Sequence, residues 1–100
     1  MSAYRFTPPA IDDLFEILAF VARDNLQAAD RIEQSVYQAC EIIATSPLAG
    51  SVRGDLTALP VRFWLVQPYT NYLIVYDPKT SPVQIIRILH GARNLPSILT

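Results

Sequence analysis

The chain has 100 residues, 51% of them hydrophobic and 17% charged, with a formal net charge of −1. That length suits one domain spanning 1–100, and so apolar a composition, against roughly 25% charged residues in an average soluble chain, excludes intrinsic disorder. One cysteine, Cys40, excludes an internal disulfide and a cysteine-based zinc site, and one histidine, His90, speaks against a metal site built from this chain alone. No metal and no cofactor is expected.

No apolar run approaches the roughly 18–20 residues that cross a bilayer. Leu14 to Ala22 comes closest, but Glu16 interrupts it and Arg23 and Asp24 follow. The first residues show no basic, apolar and cleavage regions in series, so a soluble, cytoplasmic protein without a membrane partner is expected. The small net charge hides an asymmetry. Residues 1–50 hold three basic and seven acidic residues, and residues 51–100 hold five and two. Two readings fit: halves that neutralise each other on packing, or an arginine-bearing surface that meets an acidic partner or a nucleic acid. The pI near 5.6 argues against a general nucleic-acid binder, and no stable nucleic-acid complex is expected.

In chain order, Ala3 to Phe6 reads as a short strand that Thr7 and Pro8-Pro9 end. Thr7 suits a helix N-cap, and Ile11, Leu14, Phe15, Leu18 and Val21 recur at helical spacing, predicting a helix from about Pro9 to Ala22. Asp12, Asp13 and Glu16 lie in its first turns, where capping and the helix dipole account for them without a catalytic role. Asp24-Asn25 breaks this helix and caps a second one, marked by Ala28 or Ala29, Ile32, Val36, Ala39 or Cys40, and Ile43. It ends near Ala44, before Thr45-Ser46-Pro47. So short a break predicts an antiparallel helical hairpin, with small residues at the close approach.

A loop follows, with Gly50 and Gly54 as its turn residues. Val61 to Val66, Tyr72 to Tyr76 and Val83 to Leu89 then read as three strands joined by hairpin loops, an antiparallel meander. The middle strand is apolar on both alternating faces, so both should be covered. The fold class is α+β, strand–helix–helix–strand–strand–strand, with the hairpin packed on a twisted antiparallel sheet.

The usual catalytic signatures are missing: no phosphate-binding glycine loop, no helical His-Glu-x-x-His pair, no Gly-x-Ser-x-Gly elbow. Cys40 sits mid-helix on the inner face and reads as packing. Arg87, inside a strand, must reach solvent, a ligand or an acidic residue of the helices. Arg93 follows a sharp turn expected at Gly91 and reads as a surface arginine or a contact residue. His90 is either a general base or a structural hydrogen-bonding group, without an orienting carboxylate in sequence. Trp64, Tyr69, Tyr72 and Tyr76 are spaced for sheet packing rather than base stacking.

Several segments in series carry a family resemblance: Pro8-x-Ala10-x-x-Asp13-Leu14 with Ile17, Ala28-Ala29-Asp30-Arg31, Ser46-Pro47-x-x-Gly50, Val61-Arg62 with Trp64-x-Val66, Asn71-Tyr72-Leu73-Ile74-x-Tyr76, and Ile86 to Arg93. They resemble the RelE/ParE toxins of type II toxin–antitoxin modules, in the ParE (plasmid stabilisation) branch, over nearly the whole chain. The resemblance implies the same helical hairpin on a sheet, and a toxin held inactive in a hetero-oligomer by a ParD-type antitoxin. The implied target in this branch is DNA gyrase. In the RelE branch it is messenger RNA on the ribosome, cut with basic and aromatic side chains. Those ribonuclease residues carry over poorly, because Leu73 stands where an arginine is expected and no tyrosine follows Tyr76. An interaction toxin without a catalytic centre is therefore expected. The alternatives are a ribonuclease using His90 with Arg62, Arg87 and Arg93, or an inactive toxin-derived binding domain. Partner contacts are expected from Arg62, Arg87 and Arg93 through charge and from Trp64 through apolar surface.

Overall fold

A computed structural model describes residues 3–91 as β1 (Tyr4–Phe6), α1 (Pro8–Ala22), α2 (Leu26–Thr45), β2 (Arg62–Leu65), β3 (Tyr72–Asp77) and β4 (Val83–His90). Each helix starts on the side-chain cap expected of it. The Thr7 hydroxyl accepts from the Ala10 N–H at 3.3 Å, with prolines in the first turn. The Asn25 side-chain Oδ1 accepts from the Ala28 N–H at 3.0 Å, so α2 begins at Leu26, slightly before its apolar repeat. Caps of this kind contribute about 1 kcal/mol each.

The strands order β1-β4-β3-β2. The expected meander is there: β2 pairs antiparallel with β3, and β3 with β4. The sheet as a whole is mixed rather than antiparallel, because β1 runs parallel to β4, Tyr4 opposite Val83 and Phe6 opposite Ile85. Short loops dictate the sense of β2, β3 and β4 relative to one another, but they say nothing of a strand 79 residues away. Thr7 alone separates β1 from α1, and it ties both to β4: its N–H donates to Ile85 O at 3.0 Å and its hydroxyl to Ile86 O at 2.8 Å.

β3 is buried along both faces, as its composition requires. One face, with Tyr72, Ile74 and Tyr76, packs with Ile85 and Ile88 against Ala10 and Leu14 of α1 and Ile32, Val36, Ala39, Cys40 and Ile43 of α2. The other carries a smaller cluster of Val61, Phe63, Leu73, Val75 and Leu89, with Leu56 and Ile86 alongside. Burying a branched aliphatic or aromatic side chain contributes about 1.5–3 kcal/mol, so the larger cluster dominates the stability of the fold. No helix among the described residues is long and apolar enough to cross a membrane.

Candidate functional site

The strand register decides which candidate residues share a face. Arg62 stands opposite Tyr76, Trp64 opposite Ile74 and His90 opposite Tyr72, so all three lie on the helix-covered face. Arg87 stands opposite Val75 and starts from the other face. Arg62 and His90 are four β3 residues apart, roughly 13 Å along the strand at about 3.3 Å per residue. Arg62, Arg87 and His90 are therefore not brought into one centre. Arg93 lies outside the described residues.

Each of the three is occupied locally. Arg87 forms a forked pair with Asp13 of α1, Nε to Oδ2 at 2.7 Å and Nη2 to Oδ1 at 2.9 Å. Asp13 also accepts the Ile88 backbone N–H at 3.0 Å. The pair is mostly withdrawn from solvent, its side chains 28% and 13% exposed, and the Asp13 hydrogen bond pushes the guanidinium pKa up despite some desolvation. Of the three partners open to Arg87 in sequence, solvent, a ligand or an acidic residue of the helices, the structure shows the last. Asp13 itself was read as helix capping; it serves instead as the tertiary anchor of α1 on β4.

Arg62 closes the loop after α2, its Nη1 donating to Gly50 O at 2.8 Å and Leu48 O at 3.3 Å. Beside it the Tyr76 hydroxyl donates to Pro47 O at 2.6 Å and accepts from Gly50 N at 2.9 Å. Burial raises the Tyr76 pKa, partly offset by the Gly50 bond and the Arg62 charge. A Cβ on Gly50 would sit 2.4 Å from the Tyr76 hydroxyl oxygen and 2.9 Å from Phe63 O. Gly50 lies in a bend and Gly54 and Gly91 in turns, as expected from sequence, but none takes a left-handed conformation, and Gly50 is needed for space. Gly91 donates its N–H to Asn71 O at 2.7 Å.

His90 is half-buried, edge-on to Tyr72 with ring centroids 5.6 Å apart, and its Nε2 lies 3.4 Å from the Asn71 side-chain nitrogen. Cys40 is fully buried, and burial followed by the nearby Glu41 pushes its thiol up to about 12. At neutral pH it is a packing group, as read from sequence. The four aromatic candidates also pack: Tyr72 and Tyr76 are buried, Trp64 and Tyr69 partly so against the main core. No cluster of metal-ligating side chains occurs among the described residues.

Trp64 and Gly50 line a cavity of about 280 Å³ beside β2, together with Ser51, Arg53, Gln67 and Leu73. Arg53 forms an exposed pair with Asp55, Nη2 to Oδ2 at 2.7 Å, which raises the arginine pKa and lowers that of the carboxylate. Sequence reading missed this cavity, since its lining comes from a loop and two strands. The largest exposed aromatic groups are on α1, Phe15 at 71% and Phe20 at 67%.

No curated protein matches the sequence. Among solved structures, the chain is similar to one described as the chromosomal ParDE toxin–antitoxin system from P. aeruginosa, with TM-score 0.72 and 20% identity over 90% of this chain and 96% of that one. That likeness supports the helical hairpin on a four-stranded sheet. The family of ParE toxins of type II toxin–antitoxin systems, parDE, matches residues 4–95, and the chain belongs to it.

Proposed function

We propose that this ParE-type toxin acts by binding and inhibiting DNA gyrase, and that a ParD-type antitoxin holds it inactive in a hetero-oligomer. The observation that carries an interaction mode is the separation of the candidate basic groups. Phosphodiester cleavage needs a base, an acid and cations gathered around one phosphate. Here Arg62 is turned to loop carbonyls, Arg87 to Asp13, and His90 lies at the other end of β3 from Arg62.

The proposed contact residues remain Arg62, Trp64, Arg87 and Arg93. Arg62 uses only Nη1 for its loop, and its remaining N–H groups bond to no other described residue. The half-buried Trp64 offers part of its indole. A disordered acidic or apolar antitoxin segment folding onto this side suits both groups.

Purified gyrase supercoiling a relaxed plasmid, with and without the folded chain, tests the target. Inhibition with trapped linear DNA, reversed by the antitoxin, is expected. Unaffected supercoiling rejects the gyrase reading. New cuts within codons of transcripts soon after induction would replace it with the ribonuclease one.

A further inference from the structure

β2 is the outermost strand on its side of the sheet, and its free edge is only half used. Phe63 exchanges both backbone hydrogen bonds with Ser51, each 2.9 Å long. Phe63 thus turns its N–H and C=O away from β3, and by the two-residue period of a strand Leu65 does the same. Val66 turns back, donating to Tyr72 O at 3.0 Å. The chain preceding Ser51 leaves this edge at once. Gly50 is held by the Tyr76 hydroxyl, and Ala49 donates to Ser46 O at 3.0 Å. No described residue pairs with Leu65 on this edge, and Leu65 is 47% exposed.

The cavity beside this position is lined by Leu65 and Leu73, which share a face of the sheet, with Gln67 and Arg53 alongside. Among the described residues Arg53 is paired with Asp55 alone, and both are exposed, so water screens the pair and a new carboxylate can displace it. An open N–H and C=O pair is strand chemistry, which neither a helix nor a phosphate backbone satisfies. With one residue position open, an antiparallel partner is favoured, because a single residue of it makes both bonds at once.

We propose that the β2 edge receives an extended segment of the antitoxin, paired antiparallel with Leu65 in line with Ser51, placing an apolar side chain in the cavity and a carboxylate against Arg53. The proposal rests on the antitoxin reading above and adds to it the strand joined and the chemistry of the segment that joins it.

The test uses the full chain in complex with a full-length ParD-type antitoxin that binds it, followed by residue-resolved amide hydrogen exchange. The Leu65 amide is expected to exchange at least about 100-fold more slowly in the complex than in the free chain. Leu65→Pro removes the outward N–H at an edge position that tolerates proline, and is expected to weaken binding at least about 50-fold. Leu65→Ala keeps the N–H and should weaken binding less than about fivefold. If Leu65→Pro does not fold, exchange in the unaltered chain decides. A complex in which Leu65 exchanges as fast as in the free chain overturns this proposal and leaves the antitoxin reading intact. Absence of any complex overturns the antitoxin reading, and this proposal with it.

Discussion

Asp13 and Arg87, 74 residues apart, meet where β4 runs past the end of β1, and the Asp13 carboxylate accepts three hydrogen bonds there: two from the guanidinium and one from the Ile88 backbone N–H. β1 covers β4 only as far as Ile85. Beyond that, the Thr7 hydroxyl takes up Ile86 O and Asp13 takes up Ile88 N–H, so the first turns of α1 continue the hydrogen bonding that β1 leaves off.

Asp13→Ala should therefore lower stability by about 2–4 kcal/mol, because it strands a partly buried guanidinium and a backbone donor together. Replacing both partners, Asp13→Leu with Arg87→Met, should recover most of that loss. Urea unfolding of Asp13→Leu, Arg87→Met and the double variant measures this coupling directly.

Gly50→Ala is expected to destabilise the fold by roughly 1–3 kcal/mol, since the new methyl meets the Tyr76 ring and a backbone oxygen. Tyr76→Phe loses the bonds to Pro47 and Gly50 and should cost about 1–3 kcal/mol by itself. Combined, the two changes should cost less than their sum, because the phenylalanine removes the closest clash. Thermal melts of the three variants give the comparison.

Alkaline pH should expose the burial of Cys40. Its thiol titrates at about 12 in the fold, against 9.0 for an unperturbed thiol. Between those values the unfolded chain has lost a proton that the folded chain keeps, so unfolding is favoured as pH rises. The stability contribution is complete below pH 9 and should decline by roughly 1.4 kcal/mol per pH unit above it. Cys40→Ala should flatten the first part of this decline, before the tyrosines with raised values add their own. Stability measured from pH 8 to 11 in both proteins provides the check.

Phe15→Ser and Phe20→Ser should leave the melting temperature nearly unchanged, within about 0.5 kcal/mol in stability, because both rings are largely in solvent. A large loss at either site would mean that the ring is packed more tightly than its exposure shows. Chemical denaturation of each variant distinguishes these outcomes.

Much of this fold is legible in the sequence because its signals are local. The apolar repeats place both helices, Thr7 and Asn25 mark their starts, and the unbroken apolar run of β3 requires cover on both faces. The contacts that shape the candidate site are not local. The sequence requires a partner for Arg87 but does not choose among seven acidic residues in the first half of the chain. Gly50 reads as a turn until Tyr76, 26 residues on, is placed against it. Arg62 reads as free charge until the loop after α2 folds back to present its carbonyls. The direction of β1 likewise depends on a strand that no short connection links to it.

That placement of β4 sets an order of events. It lies between β1 and β3, so the first strand waits for the final one before either sheet neighbour is complete. The helical hairpin depends on near contacts and can form early, whereas closing a loop of almost 80 residues comes late and slowly. Until β4 is in place, a chain that has formed its helical pair still lacks Arg87 for Asp13 and Ile86 for Thr7. Folding thus passes through an interval in which the helical pair exists without the finished sheet beside it.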